Sequence, residues 1–89
     1  MTKAELISEV ARKTGLPRKD VGLVINAVLE ALKEAFFRKE RVELRGFGVF
    51  MTKTRKPRVG RNPRTKEEVR IPSRTVVVFK PSKVIKENL

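Results

Sequence analysis

From Thr52 to Glu68 the chain carries one aliphatic residue, Val59, among Lys53, Arg55, Lys56, Arg58, Arg61, Arg64 and Lys66. A stretch without apolar surface cannot fold back and bury itself. It must project into solvent or lie along a partner. Its ends point the same way. Val49, Phe50 and Met51 begin a strand that runs on into Thr52-Lys53-Thr54-Arg55-Lys56 with polar residues on both sides. Gly60-Arg61-Asn62-Pro63 suits a chain reversal. Val69 and Ile71, then Thr75-Val76-Val77-Val78-Phe79, supply a return strand. Extended from Thr52 to Asn62, such a strand spans roughly 35 Å, more than a body of about 65 residues, about 11 Å in radius of gyration, measures across. The pattern predicts a two-stranded arm over residues 52–74. Pro57 and Pro72 agree, since proline is shut out of central strands and tolerated where every strand is an edge.

Charge follows the same division. Residues 51–74 hold nine basic side chains against Glu67 and Glu68, while residues 1–50 hold ten against seven and residues 75–89 three against one. More than half of the net charge of +12 thus lies in about a quarter of the chain. Such an imbalance draws a protein to polyanions: nucleic acid or an anionic membrane face. No apolar run approaches the roughly 20 residues of a membrane span. The N-terminus mixes charges from the start, which argues against a signal peptide and for a cytoplasmic protein. Histidine and cysteine are absent. Thiolate metal sites and disulfides are excluded, and the commonest acid–base group is missing. With no phosphate loop, carboxylate cluster or serine-nucleophile motif, the residues point away from an enzyme, a small-molecule substrate, a metal or a cofactor.

The first half reads as two helices. Thr2-Lys3-Ala4-Glu5 is a capping-box pattern. Leu6, Ile7, Val10 and Ala11 follow on one face, and Gly15 stops the helix. Leu16-Pro17 turns the chain into a second helix over about residues 18–38. There Val21, Val24, Ile25, Val28, Leu29, Leu32, Ala35 and Phe36 form an apolar arc of roughly 200°, wider than one packing partner requires. Arg41-Val42-Glu43-Leu44-Arg45 alternates as a half-buried strand, Gly46-Phe47-Gly48 turns, and Pro81-Ser82 introduces a short helix from about Lys83.

With the arm excluded, about 65 residues must bury a whole core, which is marginal for a lone domain. The wide helical face and the phenylalanines exceed what one short chain covers. Dimerisation resolves both, with Val28, Leu29, Leu32, Phe36, Phe47, Phe50 and Phe79 as the expected dimer core. A two-fold dimer would present two basic arms, able to clasp a duplex from both sides. The expected fold is therefore α+β: two N-terminal helices packed under a small antiparallel sheet, a long protruding β-ribbon arm and a short C-terminal helix, in an intertwined dimer. The whole chain, 1–89, is read as one domain, with 1–51 and 75–89 as the dimerising body.

Gly46-Phe47-Gly48-Val49-Phe50, Gly60-Arg61-Asn62-Pro63-Arg64-Thr65, Ile71-Pro72 and Phe79-Lys80-Pro81-Ser82-Lys83 resemble the bacterial HU/IHF histone-like family, and the resemblance covers essentially the whole chain. It implies an architectural protein of the bacterial nucleoid, most like the HU branch, that bends duplex DNA through the minor groove. Pro63 would then be an apolar wedge at the arm tip, entering between stacked base pairs, although Asn-Pro also simply makes a turn. Lys53, Arg55, Lys56, Arg58, Arg61, Arg64, Thr65, Arg70 and Arg74 would meet groove and phosphates, with Arg55, Arg58 and Arg61 foremost. Some of these cations could instead merely keep the arm soluble, Lys66 beside Glu67 above all. Asn62 could touch the minor-groove edge, whose code mainly separates A·T from G·C. On the body, Lys3 and Lys83 fall at helix N-termini, where a phosphate is favoured, and Lys80 and Lys86 could join Lys83. Phe47, Phe50 and Phe79 could stack on bases, but they sit in the apolar body with no basic residues interleaved around Phe50 or Val77-Val78, which favours packing. Family members often cap the second helix with Ser or Thr where this chain has Pro17.

The competing readings are an IHF-like factor with preferred sites, alone or in a heterodimer with a paralogue, an RNA-binding protein, and a module for some other anionic surface. The closed A-form major groove and the lack of surface aromatics count against sequence-specific RNA reading.

Overall fold

The computed structural model describes the backbone of residues 1–89 and every side chain but that of Ile71. It divides into two compact units, Met1–Ala35 and Phe36–Leu89.

The first unit is helical. Helix α1 spans Lys3–Thr14; Thr2 caps it, its hydroxyl accepting the Glu5 N–H at 3.2 Å. Gly15 ends it in the left-handed region at φ 73°, its N–H donating to Ala11 O. An L side chain there would be strained, so the residue type follows from the backbone. Helix α2 begins at Arg18 and runs to Phe37. Pro17 stands at its cap position: its carbonyl accepts the N–H groups of Asp20 and Val21 at 3.1 Å, with no side-chain cap needed. A Cβ added at Gly22 would lie 3.7 Å from Ile7 Cδ1, so α1 and α2 meet closely at this point. Among the described residues only Val21 and Ala35, at 3% and 5% exposure, and Gly48 of the second unit are buried within the chain. Leu23, Val24, Val28 and Leu29 are all exposed.

The second unit holds the strands. β1 (Val42–Leu44), β2 (Gly48–Arg55) and β5 (Arg74–Pro81) form an antiparallel sheet with β2 in the middle. Its core is aromatic. Phe50 stands directly opposite Phe79, with ring centroids 4.8 Å apart. Phe47 lies 5.4 Å from Phe79 and Phe36 5.6 Å from Phe50, tilted spacings at which aromatic pairs attract. Gly46 takes φ 81° in the turn before β2. Gly48 is required for a different reason: a Cβ there would sit 2.5 Å from Lys80 O and 2.6 Å from the Phe79 ring. Ser82 ties the far end. Its N–H donates to Phe47 O at 2.8 Å, its hydroxyl donates to Gly46 O at 3.0 Å, and the same oxygen caps α3 (Lys83–Glu87) by accepting from the Ile85 N–H.

β3 (Arg58–Arg61) and β4 (Glu68–Ile71) form a separate two-stranded ladder. It keeps the register of β2 and β5, so Pro57 stands opposite Pro72. Neither proline has an N–H to give, and the ladder is interrupted there. The reversal lies further out than the sequence suggested: Gly60 and Arg61 pair with Val69 and Glu68 inside the ribbon, and the turn spans residues 62–67.

Candidate nucleic-acid interface

The tip is built around Asn62. Its N–H donates to Glu67 O at 2.9 Å, and its own carbonyl accepts the Lys66 N–H at 2.7 Å. Its side-chain oxygen accepts the Arg64 N–H at 2.9 Å, an Asx turn that passes over Pro63. Thr65 Oγ1 accepts the Glu67 N–H at 3.4 Å. Pro63 is thereby held at the apex and exposed. With the Asn62 Oδ1 engaged, the groups left on that amide are its N–H donors. Donors match the acceptor atoms, adenine N3 and thymine O2, of the minor groove. Lys66 closes the turn at φ 58°, a left-handed position taken without glycine. No feature of the sequence marks it.

Behind the tip the ribbon is cationic. The register places Lys53, Arg55 and Arg61 of one strand and Arg70 and Arg74 of the other on one face, with Lys56 and Arg58 on the opposite face. Arg55 and Arg74 stand directly opposite each other, an arrangement that repels until an anion lies between them. All the arm residues singled out from the sequence, from Lys53 to Arg74, are exposed. Among the described residues the ion pairs are Glu9–Arg12, Glu30–Lys33, Arg38–Glu40 and Lys83–Glu87, and none touches residues 52–74. The arm's guanidinium groups are thus not neutralised by the chain itself. An open groove lined by Lys53, Arg55, Lys56, Arg58 and Arg74 runs along the base of the ribbon.

The body cations are placed differently. Lys3 opens α1, but its ammonium donates to Asn26 Oδ1 at 2.9 Å. Lys83 opens α3 and lies 3.7 Å from Glu87, one turn on. Lys80 is on β5 and Lys86 on α3, both exposed. Of the expected dimer core, Val28, Leu29, Phe47 and Phe79 are exposed within the single chain, and Leu32, Phe36 and Phe50 are half-buried. The phenylalanines pack on one another rather than standing as separate platforms. No helix among the described residues is long and apolar enough to cross a membrane.

A small α+β chain with a proline-tipped, unneutralised cationic ribbon defines a protein that meets nucleic acid by charge and shape. The profile of the family described as bacterial DNA-binding protein matches residues 1–89, and the chain belongs to that family. It is 48% identical over 89 residues to the DNA-binding protein HU of Clostridium pasteurianum, covering all of this chain and 98% of that protein. It is 42% identical to an integration host factor subunit alpha of Anaeromyxobacter, over all of this chain and 90% of that one. Among solved structures, an Anabaena HU–DNA cocrystal superposes with a TM-score of 0.89 at 40% identity, over 99% of this chain and 96% of that chain.

Proposed function

We propose that this chain is a homodimeric architectural protein of the bacterial nucleoid that holds duplex DNA between two arms, in the minor groove, with little sequence preference. The observation that carries this reading is the ribbon of exposed, unpaired cations closing on Pro63. Phosphate neutralisation by Lys53, Arg55, Lys56, Arg58, Arg61, Arg64, Arg70 and Arg74 supplies most of the affinity, with Lys3, Lys80, Lys83 and Lys86 meeting DNA that bends down the body. Asn62 and Thr65 shape the tip, and Asn62 keeps amide donors for the groove floor. Pro63 enters a base step and kinks it, at least cost where the duplex is already flexible or broken. The half-covered Phe cluster and the exposed face of α2 support burial against a second copy. Neither a cofactor nor an enzymatic step is required.

Binding to straight, nicked and four-way-junction DNA at two salt concentrations tests this, with Pro63→Ala alongside. Tighter binding to the distorted forms, reduced by Pro63→Ala, is expected; equal affinity for all three removes the bending. The likeness to an integration host factor subunit favours one second reading, a site-preferring factor that pairs with a paralogue. A wide spread of affinity over unrelated duplexes of equal length would select it.

A further inference from the structure

Midway along the arm lies a surface that the charge argument leaves unused. Pro57, Val59 and Pro72 share the ribbon face that carries Arg55, Arg61, Arg70 and Arg74. Val59 is 62% exposed, and both prolines are exposed. A shallow groove lined by Pro57, Arg58, Val59, Arg70, Pro72 and Ser73 follows them. An apolar patch framed by guanidinium groups fits a partner that is anionic at its rails and apolar between them. The walls of a DNA minor groove have this composition: phosphates outside, deoxyribose C–H within. An extended ribbon from Arg55 to Arg61 reaches about 20 Å. That length holds the patch against sugars while its neighbours hold phosphates.

We propose that Pro57, Val59 and Pro72 form a sugar-contacting patch that favours deoxyribose over ribose. The inference rests on the reading of the arm as a minor-groove device. In RNA the 2′-hydroxyl stands in the minor groove. Pressed against two prolines and a valine it would lose water without gaining a partner. The cations cannot make this distinction, because the phosphates of the two polymers are alike.

The test compares the full-length protein with Val59→Thr and Val59→Ile on DNA and RNA duplexes of one sequence, and on phosphatidylglycerol vesicles. Threonine keeps the branched shape a strand prefers and adds a hydroxyl. Because Val59 is exposed, unfolding midpoints equal to the wild type verify that both variants fold. Val59→Thr should cut the DNA-over-RNA preference about tenfold, mainly by weakening DNA binding, and Val59→Ile should preserve it. A preference unmoved by Val59→Thr overturns the sugar contact. So does vesicle binding that falls with Val59→Thr while the preference stays put, which would assign the patch to lipid. Wild-type protein that fails to hold duplex DNA at all sinks the underlying reading; duplex binding with an unmoved preference sinks the patch alone.

Discussion

Strands β2 and β5 run side by side from Gly48 opposite Pro81 to Arg55 opposite Arg74. At the inner end Phe50 faces Phe79 and the pair gathers Phe36 and Phe47 into a cluster. At the outer end two arginines face each other with no carboxylate between them. The ladder of backbone hydrogen bonds is the same at both ends, so pairing alone does not distinguish them. What differs is the environment each end needs. The aromatic end is satisfied by removal from water and the cationic end by an anion, and neither condition is fully met within one chain.

The largest effect that would sharpen this contrast belongs to the aromatic end. Gly48→Ala places a methyl group where Lys80 O and the Phe79 ring already stand. We expect a loss of about 3 kcal/mol in chemical denaturation. A variant as stable as the wild type would mean that the aromatic end does not hold the sheet. Ser82→Ala comes next. It removes the α3 cap and the bond to Gly46 O together, an expected cost of about 2 kcal/mol by the same measurement.

At the cationic end the sign should reverse. Removing the opposed pair with Arg55→Gln and Arg74→Gln should leave the thermal midpoint unchanged or higher, because two like charges no longer face each other. DNA affinity should fall, and the slope of log K against log salt should flatten by about 1.8 for two lost phosphate contacts. A lower midpoint would erase the contrast between the two ends. The smallest effect is local. Lys66→Gly relieves a left-handed lysine at the tip, worth about 1 kcal/mol, and should slow amide exchange in residues 62–67 about fivefold. The global midpoint should not move; if it did, tip and sheet would unfold as one.

Much of this architecture is legible from residue types with local consequences. Thr2, Gly15, Pro17 and Ser82 mark helix ends, and each stands at one. The arm follows from the missing apolar residues between Thr52 and Glu68. What escaped reading depends on register, which no local pattern encodes. Gly60 looks like a turn residue, yet pairs with Val69 because the ladder has not yet run out. The opposition of Arg55 with Arg74 and of Pro57 with Pro72 emerges only once the two strands are aligned across about 20 residues of chain. Asn62 is read from sequence both as a turn residue and as a possible contact to the minor-groove edge. Its side-chain oxygen shapes the turn over Pro63, while which half of the amide does so is visible only in the structure. Lys39 and Lys66 adopt left-handed backbone with no glycine to announce it.

Within one chain, the side chains that come nearly out of water, among the described residues, are a valine and an alanine. A fold that thin has little stability of its own and takes the rest by mass action from a second copy. Its melting midpoint should therefore climb as the protein is concentrated, and dilution by itself should act as a denaturant. The amount of the protein a cell makes then sets the folded fraction as well as the coverage of the chromosome.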